Sequence, residues 1–374
     1  IGSKRVGMVG KKSGEERRAD AEPASLPGRA RPCIDPPGAG RAGAVYDGRR
    51  LAAAPDDPVP FLFLPSPSAT MNPTPGTPWL RIALGLSMGA ALSLGLARFA
   101  YGLLLPPMRE DLGWSYLLAG SLNTANALGY LLGALATPWL MRRLGAGRLL
   151  VGGAVAATAC MAASGFLTHA GAWLAQRTLA GVASAWVFIA GGLLAARLGA
   201  LQPQRSGFLL GIYYGGTGFG IVLSALLVPA LLRWAAGLPP AWAWAWWALA
   251  LACALAVLPL AWAERAVAAL GEAAGGDAGA PRVPDRPRAP LPRLGWALAG
   301  YACFGAGYIG YMTFVIALLR AQGASPGQLT LFYALLGLAV VASSRLWAGL
   351  LDRWRGGGPQ AGLNALLGVA TLLP

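Results

Sequence analysis

The stretch LGLARFAYGLLLP (residues 94–106) places Arg98 well inside an apolar segment, residues 79–105, that contains no Asp or Glu. A second apolar segment, residues 173–196, carries Arg177 near its start. A charged side chain at membrane depth costs at least about 2.5–3.5 kcal/mol, so it usually faces a cavity or a partner. The sequence therefore predicts a buried cationic site in a protein that crosses the membrane several times.

The composition is that of a polytopic membrane protein. Hydrophobic residues make up 56% of the chain and charged residues 12%, whereas soluble domains carry about 25% charged residues. A transmembrane helix needs about 20 apolar residues. Eight segments meet this condition: residues 79–105, 117–141, 149–167, 173–196, 208–232, 242–263, 294–319 and 329–351. A ninth begins near residue 361 and is cut off at Pro374, so we expect the chain to be truncated at its C-terminus.

The net charge of +15 does not indicate a nucleic-acid partner, because the basic residues lie in the loops between apolar segments. If the first segment starts in the cytoplasm, twelve arginines lie in cytoplasmic loops and three (Arg109, Arg233 and Arg320) lie on the opposite side. Cytoplasmic loops of membrane proteins carry an excess of Lys and Arg. We therefore expect a multi-pass protein of the inner membrane, surrounded by lipid, with a cytoplasmic N-terminus.

The cysteines and the single histidine do not indicate a metal or a cofactor. Cys160, Cys253 and Cys303 lie inside apolar segments, where cysteine is usually a small packing residue. Cys33 lies in the N-terminal region, and His169 lies in a short external loop. Because no metal-type spacing is present, we expect no disulfide, no metal and no cofactor.

Two polar regions divide the chain. Residues 1–70 are rich in Pro, Gly and Arg without helical periodicity, which predicts disorder, and Met71 is the expected start of the native protein. Residues 264–293 are predicted to be a cytoplasmic linker. It separates a six-helix half at residues 71–263 from a partial second half at residues 294–374.

The two halves resemble each other, with a repeat of about 210 residues. LGLARFAYGLLLP in the first segment corresponds to CFGAGYIGYMTFV (residues 303–315) in the seventh, so that Arg98 and Tyr101 align with Tyr308 and Tyr311. Similar basic loops, MRRLGAGR and LDRWRGGG, follow the second and eighth segments. Parallel duplication of six-helix halves is the architecture of major facilitator transporters.

Two stretches resemble one branch of that superfamily. ARFAYGLLLPPMREDLGWS (residues 97–115) and AGSLNTANALGYLLGALA (residues 119–136) are similar to YbfB/YjiJ-like bacterial transporters. The resemblance extends over residues 80–374 and implies an all-α membrane fold with two six-helix halves, of which about nine of twelve helices are present. It implies alternating access around a site near the midplane, but it does not define a substrate.

The superfamily's loop motif follows the second helix of each half and implies gating residues. The second-half copy retains four of its positions: Gly349, Asp352, Arg353 and Gly356. In the first-half copy Arg142 replaces the expected acid, which removes the carboxylate that a charge relay between the halves would use. We expect gating contacts at Arg142, Arg143, Arg345, Asp352 and Arg353; for Arg345 and Asp352, exposure at the membrane surface is an equal alternative.

The first two segments contain candidate substrate-binding residues. Arg98 and Tyr101 are three residues apart and are expected to share a helix face that binds an anionic group. Asn123, Asn126 and Tyr130 form a polar stripe on the second segment. The alternatives are a structural arginine bonded to backbone carbonyls, and bonds between helices, which are worth about 0.6 kcal/mol each.

Further candidates come from the family resemblance and from aromatic hydroxyl groups. Arg177, with Gly181, resembles the superfamily's arginine motif in the fourth helix and is a candidate for substrate binding or proton coupling; a snorkelling arginine is the alternative. Tyr308 and Tyr311 are also candidate ligands, as are Tyr213 and Tyr214. GIYYGGTGFG (residues 211–220) resembles a glycine-rich antiporter motif, with Gly216 in place of its proline, and favours export.

Small and aromatic residues are assigned structural roles. Gly129 and Gly133, like Gly211 and Gly215, have the Gly-x-x-x-Gly spacing that allows helices to pack closely. Four tryptophans at the outer end of the sixth segment are expected to form an interfacial belt: Trp242, Trp244, Trp246 and Trp247.

These features together predict a monomeric secondary transporter of a small organic solute, for which an anion is expected and export is favoured over import. A proton-coupled exporter of hydrophobic compounds and a non-transporting membrane sensor are the alternatives. An enzyme is not expected, because the spans contain no Asp, Glu or His. The 374-residue chain itself is expected not to transport, since its second half lacks at least three segments.

Overall fold

The computed structural model describes residues 78–273, 291–347 and 357–372, which are helical almost throughout and contain no strand. These residues form nine helices: α1 (Trp79–Leu112), α2 (Tyr116–Leu144), α3 (Ala146–Ser164), α4 (Ala170–Ala200), α5 (Ser206–Trp234), α6 (Ala241–Ala273), α7 (Leu291–Ala321), α8 (Pro326–Leu346) and α9 (Gly357–Leu372). Residues 1–70, predicted to be disordered, lie outside the described residues. The predicted all-α fold is confirmed.

Six of the described helices are long and apolar enough to cross a membrane: α1, α3, α4, α5, α6 and α8. α2 and α7 have 29 and 31 residues and contain the predicted segments at residues 117–141 and 294–319. Both are as long as the other spans, and α2 contains two asparagines, Asn123 and Asn126, within its segment. α6 continues ten residues past its predicted segment, to Ala273, because residues 264–273 are mostly Ala, Glu and Leu, which are strong helix formers.

The middle of α1 departs from α-helical geometry. Residues Ala91–Phe99 are π-helical, and this segment contains Arg98. π-Helical turns are rare and are often found at functional sites. α1 ends at Gly113, whose φ of 63° is left-handed, a conformation that glycine adopts at helix C-termini without steric cost. The unusual backbone of α1 therefore coincides with its only charged residue at membrane depth.

Glycines bring α2 and α4 into backbone contact. A Cβ added at Gly129 would meet the carbonyl of Thr178, and one added at Gly133 would lie 2.7 Å from the carbonyl oxygen of Val182. From the other side, Gly181 packs against the backbone of Asn126. Helices approach this closely only where side chains are absent. The predicted packing role of Gly129 and Gly133 is thereby confirmed.

A different set of glycines packs α5 against α1. Cβ atoms at Gly216 and Gly220 would meet the backbone of Ser87 and Ala91. Gly211 and Gly215, the pair predicted to allow close packing, contact α8 more loosely. A Cβ at Gly215 would lie 3.6 Å from Ser344 Oγ of α8. Gly216, which stands in place of the motif's proline, is thus a tight packing position on α1.

α5 also crosses α8 at a glycine pair. A Cβ on Gly337 would lie 2.7 Å from the carbonyl oxygen of Gly218 and 2.9 Å from the amide nitrogen of Val222. α5 and α8 belong to the first and second predicted halves, respectively. Their backbones are therefore in direct contact where the two halves meet.

The predicted tryptophan belt is wrong for two of its four members. Trp242 and Trp246 are buried, with exposed fractions of 2% and 0%. Trp242 Nε1 donates to Asp111 Oδ2 at 2.7 Å, and both indole rings contact Trp173. Trp244, 37% exposed, is the member that faces outward. The buried pair joins the C-terminal end of α1 to the N-terminal ends of α4 and α6.

Candidate functional site

Arg177 of α4 is buried against the π-helical part of α1. Its side chain is 1% exposed, its Nη1 donates to the carbonyl of Ala97 at 3.2 Å, and its guanidinium carbon lies 4.5 Å from the centroid of the Tyr101 ring. A snorkelling arginine would extend to the interface, so that alternative is wrong. Arg177 is a charge held inside the helix bundle.

Part of the Arg177 guanidinium has no hydrogen-bond partner among the described residues. Nε and Nη2 are buried and unbonded, and the single bond of Nη1 is to a backbone carbonyl. Arg177 therefore has no carboxylate partner in the described part of the chain. A buried donor without an acceptor costs about 1–3 kcal/mol, more when it is charged.

The surrounding hydrogen bonds join α1, α2 and α4. The Tyr101 hydroxyl donates to the carbonyl of Ala119 at 2.9 Å, and Asn126 Nδ2 donates to the carbonyl of Arg177 at 3.0 Å. Both are bonds between helices, which is the structural alternative weighed for Asn126. Tyr101 therefore contacts Arg177 with its ring and α2 with its hydroxyl group.

Arg98 lies beside Arg177 but in a different environment. It is half-buried and close enough to both Arg177 and Tyr130 for electrostatic interaction. Tyr130 in turn interacts with Tyr214 of α5. The structure thus brings together five of the predicted site residues: Arg98, Tyr101, Asn126, Tyr130 and Arg177. We call this group the arginine cluster.

The two arginines of the arginine cluster are like charges within one helix bundle. Arg98 and Arg177 carry the same charge and interact with each other inside a low-dielectric bundle, where charge–charge interactions are much stronger than in water. Their tyrosine neighbours contribute hydroxyl groups and ring faces rather than negative charge.

The remaining predicted site residues lie on α2, on α7 and in the second half of the chain. Asn123 is buried on α2, and Tyr311 is 43% exposed on α7. Tyr308 and Arg345 lie in α7 and α8, but their side chains are outside the described residues, as are Asp352 and Arg353 altogether. No contact of these four residues can therefore be assigned.

The predicted gating residues of the first half lie at the C-terminal end of α2. Arg142 and Arg143 are exposed, and the guanidinium carbon of Arg143 lies 4.6 Å from the centroid of the Trp139 ring, one helical turn away. Cations near a helix C-terminus interact favourably with the helix dipole. The described contacts of Arg143 are thus within α2.

Gln176 is a buried polar residue that the sequence interpretation missed. Its Nε2 donates to the carbonyl of Cys160 and to Ser164 Oγ, both at 2.8 Å, while Oε1 is buried without a partner among the described residues. The signal was present, because Gln176 precedes Arg177 in an otherwise apolar stretch of α4. It fixes the face of α4 that turns toward α3.

A cavity of about 460 Å³ lies between α1, α5 and α8. This volume is within the usual range for small-molecule sites, and the lining is almost entirely apolar. The lining residues are Leu84, Ser87 and Met88 of α1, Leu338, Val341 and Ser344 of α8, and Gly211, Ile212, Gly215, Gly216, Phe219 and Val222 of α5. Sequence analysis did not predict this cavity.

Aromatic residues connect α4 with α5. Phe188 packs on Tyr213 and Tyr214, with ring centroids 6.0 and 5.8 Å apart, and the Tyr213 hydroxyl donates to the carbonyl of Phe188 at 2.7 Å. Tyr213 is buried, whereas Tyr214 is exposed.

Comparison with known proteins agrees with this fold. No curated protein matches the chain. A family model described as "Uncharacterised MFS-type transporter YbfB" matches residues 90–374, which include the arginine cluster and every described helix from the π-helical segment of α1 onward. The predicted resemblance and the major facilitator fold are thereby confirmed, and the chain belongs to this family of membrane transporters.

Proposed function

We propose that this transporter moves a small organic anion across the inner membrane by alternating access, with Arg98 as the residue that contacts the anionic group. The observation that carries this proposal is the buried guanidinium of Arg177, whose Nε and Nη2 have no partner and which has no carboxylate bonded to it in the described part of the chain. Export is the favoured direction.

The two arginines have different roles in this proposal. Arg177 is held by the carbonyl of Ala97 and by the ring of Tyr101 and is closed off from solvent, so it acts on the solute through its charge. Arg98 is half-buried and can approach a bound solute directly. Arg177 is therefore a positioning residue, and Arg98 and Tyr130 are the proposed ligands.

Coupling to protons is proposed to involve the solute itself. In the described helices, Asp and Glu occur only at Glu110 and Asp111 in the last turn of α1 and at Glu264 and Glu272 in the last third of α6. A carboxylate at membrane depth is the usual proton carrier of a secondary transporter, and none lies in the arginine cluster. We propose that an acid group of the solute, bound beside Arg98, carries the proton.

Transport in everted vesicles tests this proposal. The complete protein would be supplied with labelled organic anions and cations under an imposed pH gradient, and Arg98→Gln would be compared with Arg109→Gln. Arg109 is a matched control because it lies on α1 outside the arginine cluster, with its guanidinium on the ring of Tyr116. We expect anion movement to be lost in Arg98→Gln and retained in Arg109→Gln; anion transport unaffected by Arg98→Gln would refute the proposal.

Export of hydrophobic compounds is a second candidate function. It is supported by the aromatic group of Phe188, Tyr213 and Tyr214 and by the apolar cavity between α1, α5 and α8. A lipophilic cation transported equally by native protein and Arg98→Gln would favour this function over anion transport.

A further inference from the structure

We propose that one face of α6 is covered by lipid, with a row of aromatic rings at one membrane interface and Trp262 at the other. We call the first group the aromatic row; it consists of Phe166, Trp234, Trp244 and Trp247. The partner of this surface is the bilayer itself. The rings lie at the level of the lipid headgroups, and the leucines between the two interfaces lie in the hydrocarbon.

The aromatic row is continuous across three helices. The ring centroid of Trp247 lies 5.0 Å from that of Phe166 and 5.2 Å from that of Trp244. The Trp244 ring in turn lies 5.8 Å from Trp234. Phe166 follows the end of α3, Trp234 is the last residue of α5, and the other two rings belong to the first two turns of α6. Because α3 and α5 end where α6 begins, the row lies at one end of the bundle.

The aromatic row is exposed along most of its length. Phe166 is 73% exposed and Trp234 64% exposed, whereas Trp247 is half-buried and packs on Gly165, at which a Cβ would lie 2.5 Å from Cε2 of the indole ring. Large aromatic side chains that are exposed together mark an interaction surface. Tryptophan is enriched at membrane–water interfaces because its ring is apolar and its N–H is polar.

A positive charge accompanies the aromatic row. Arg233 directly precedes Trp234 in the last turn of α5 and is exposed. A guanidinium binds phosphate oxygens with charge-assisted hydrogen bonds, and lipid phosphates lie at the depth that interfacial tryptophans prefer. The charge of Arg233 therefore complements a lipid headgroup beside the row.

One face of α6 continues from the aromatic row through the hydrocarbon. Trp244, Leu251, Leu255, Leu258 and Trp262 are all exposed. They follow one another at intervals of seven, four, three and four residues, which place them on the same face of an α-helix. This face is apolar throughout and has a tryptophan at each end.

The length of this face matches the thickness of a bilayer. Trp244 and Trp262 are 18 residues apart, which at about 1.5 Å per residue is about 27 Å, close to the hydrocarbon thickness of about 30 Å. Charged residues begin directly beyond Trp262, at Glu264 and Arg265. A contact with another protein would not require a tryptophan at each boundary, whereas a bilayer favours one at both.

Quenching of tryptophan fluorescence by brominated lipids tests this inference. The complete protein would be reconstituted in vesicles whose acyl chains are brominated either near the headgroup or near the middle of the bilayer. The difference between native protein and a Trp→Phe variant gives the emission of that tryptophan. Trp244→Phe and Trp262→Phe report the two interfaces. Trp246→Phe is the matched control, because Trp246 lies on the same helix but is buried.

We expect the emission lost in Trp244→Phe and in Trp262→Phe to be quenched more strongly by the shallow bromines than by the deep ones. The emission lost in Trp246→Phe should be quenched by neither, because lipid does not reach a buried ring. Leu255→Trp, near the middle of the exposed face, should add emission that the deep bromines quench best. Phe166→Trp should add emission with the shallow pattern, and it tests the row even if a Trp→Phe variant does not fold.

Three results would overturn the inference. Quenching of Trp244 by aqueous acrylamide but not by brominated lipid would show that the aromatic row faces water. Stronger quenching of Trp244 by the deep bromines would place the row in the hydrocarbon instead of the interface. Emission from Trp244, Trp262 and Leu255→Trp that neither lipid quenches would show that protein, such as a second copy of the chain, covers this face. None of these results involves the solute, so the inference and the proposed anion transport fail separately.

Discussion

Arg177 and Tyr101 form a cation–π pair across the interface of α4 and α1, with the guanidinium carbon 4.5 Å from the ring centroid. The ring and the hydroxyl group of Tyr101 have different partners, so two substitutions can measure their contributions to stability separately. Tyr101→Phe keeps the ring and loses the hydrogen bond to Ala119, at a cost of about 0.5–1.5 kcal/mol. Tyr101→Leu also loses the pair, worth about 2 kcal/mol when desolvated. Melting temperatures in one detergent should fall from native protein to Tyr101→Phe and further to Tyr101→Leu. Equal falls in the two variants would show that the Arg177–Tyr101 pair does not contribute to stability.

We expect that a lysine at position 177 cannot make the contacts of Arg177. A guanidinium can stack on Tyr101 and donate in its plane to Ala97 at the same time, whereas an ammonium is a compact charge without a planar face. Arg177→Lys should lose about 1.5–3 kcal/mol, the value of a hydrogen bond to a charged group, and should impair transport. Arg109→Lys, near the C-terminal end of α1, is the control and should leave unfolding and transport close to native.

Gly181→Ala should destabilise the contact between α2 and α4. The added Cβ would meet the carbonyl of Asn126 and lie 2.8 Å from the amide nitrogen of Tyr130, and such overpacking typically costs about 1–3 kcal/mol. Gly152→Ala, with nothing within 4 Å, should be neutral or stabilising, because Ala exceeds Gly in helix propensity by about 1 kcal/mol. Similar melting temperatures for the two variants would show that α2 and α4 are not packed through their backbones.

Gly218→Ala should slow transport more than it weakens solute binding. The added Cβ would lie 2.8 Å from the amide nitrogen of Val341 and would meet the carbonyl of Gly337, which destabilises whichever state brings α5 and α8 together. A penalty of about 1.4 kcal/mol changes the ratio of two states tenfold. The measurement is the transport rate of the complete protein beside its equilibrium affinity, with Gly171→Ala as control. A parallel loss of rate and affinity would place Gly218 in the binding site.

Trp242→Phe should destabilise the end of the bundle at which α1 ends and α6 begins, whereas Trp244→Phe should not. Trp242 Nε1 donates to the carboxylate of Asp111, and the bond is worth about 1 kcal/mol because Asp111 is exposed to solvent. A double-mutant cycle with Asp111→Asn isolates this contribution. Thermal unfolding that is additive for the two substitutions would show that the indole and the carboxylate do not interact.

Hydropathy alone predicted the helices well, because a membrane span is defined by length and by the absence of charge. It also identified Arg98 and Arg177, since a charge in an apolar segment is conspicuous. It could not identify the partner of Tyr101. Three-residue spacing favoured Arg98, but a π-helical turn changes the angle between residues on α1, and Arg177 approaches from a helix about 80 residues away in the chain.

The tryptophans and the cavity were not predicted correctly from the sequence, for two different reasons. Trp242 and Trp246 are four residues apart and so share a face, while Trp244 lies on the opposite face; spacing alone could have corrected the predicted belt. The cavity is different because its walls come from α1, α5 and α8. Its volume depends on how closely those helices pack, which no local pattern in the sequence encodes.

The burial of Arg177 has a consequence for biosynthesis. When α4 leaves the ribosome, its arginine must enter the bilayer at a cost of about 2.5–3.5 kcal/mol on insertion scales. The carbonyl of Ala97 and the ring of Tyr101 that receive this arginine both belong to α1, which is synthesised first and is already in the membrane. Loss of Tyr101 should therefore lower the amount of correctly inserted α4, and not only the stability of the finished protein.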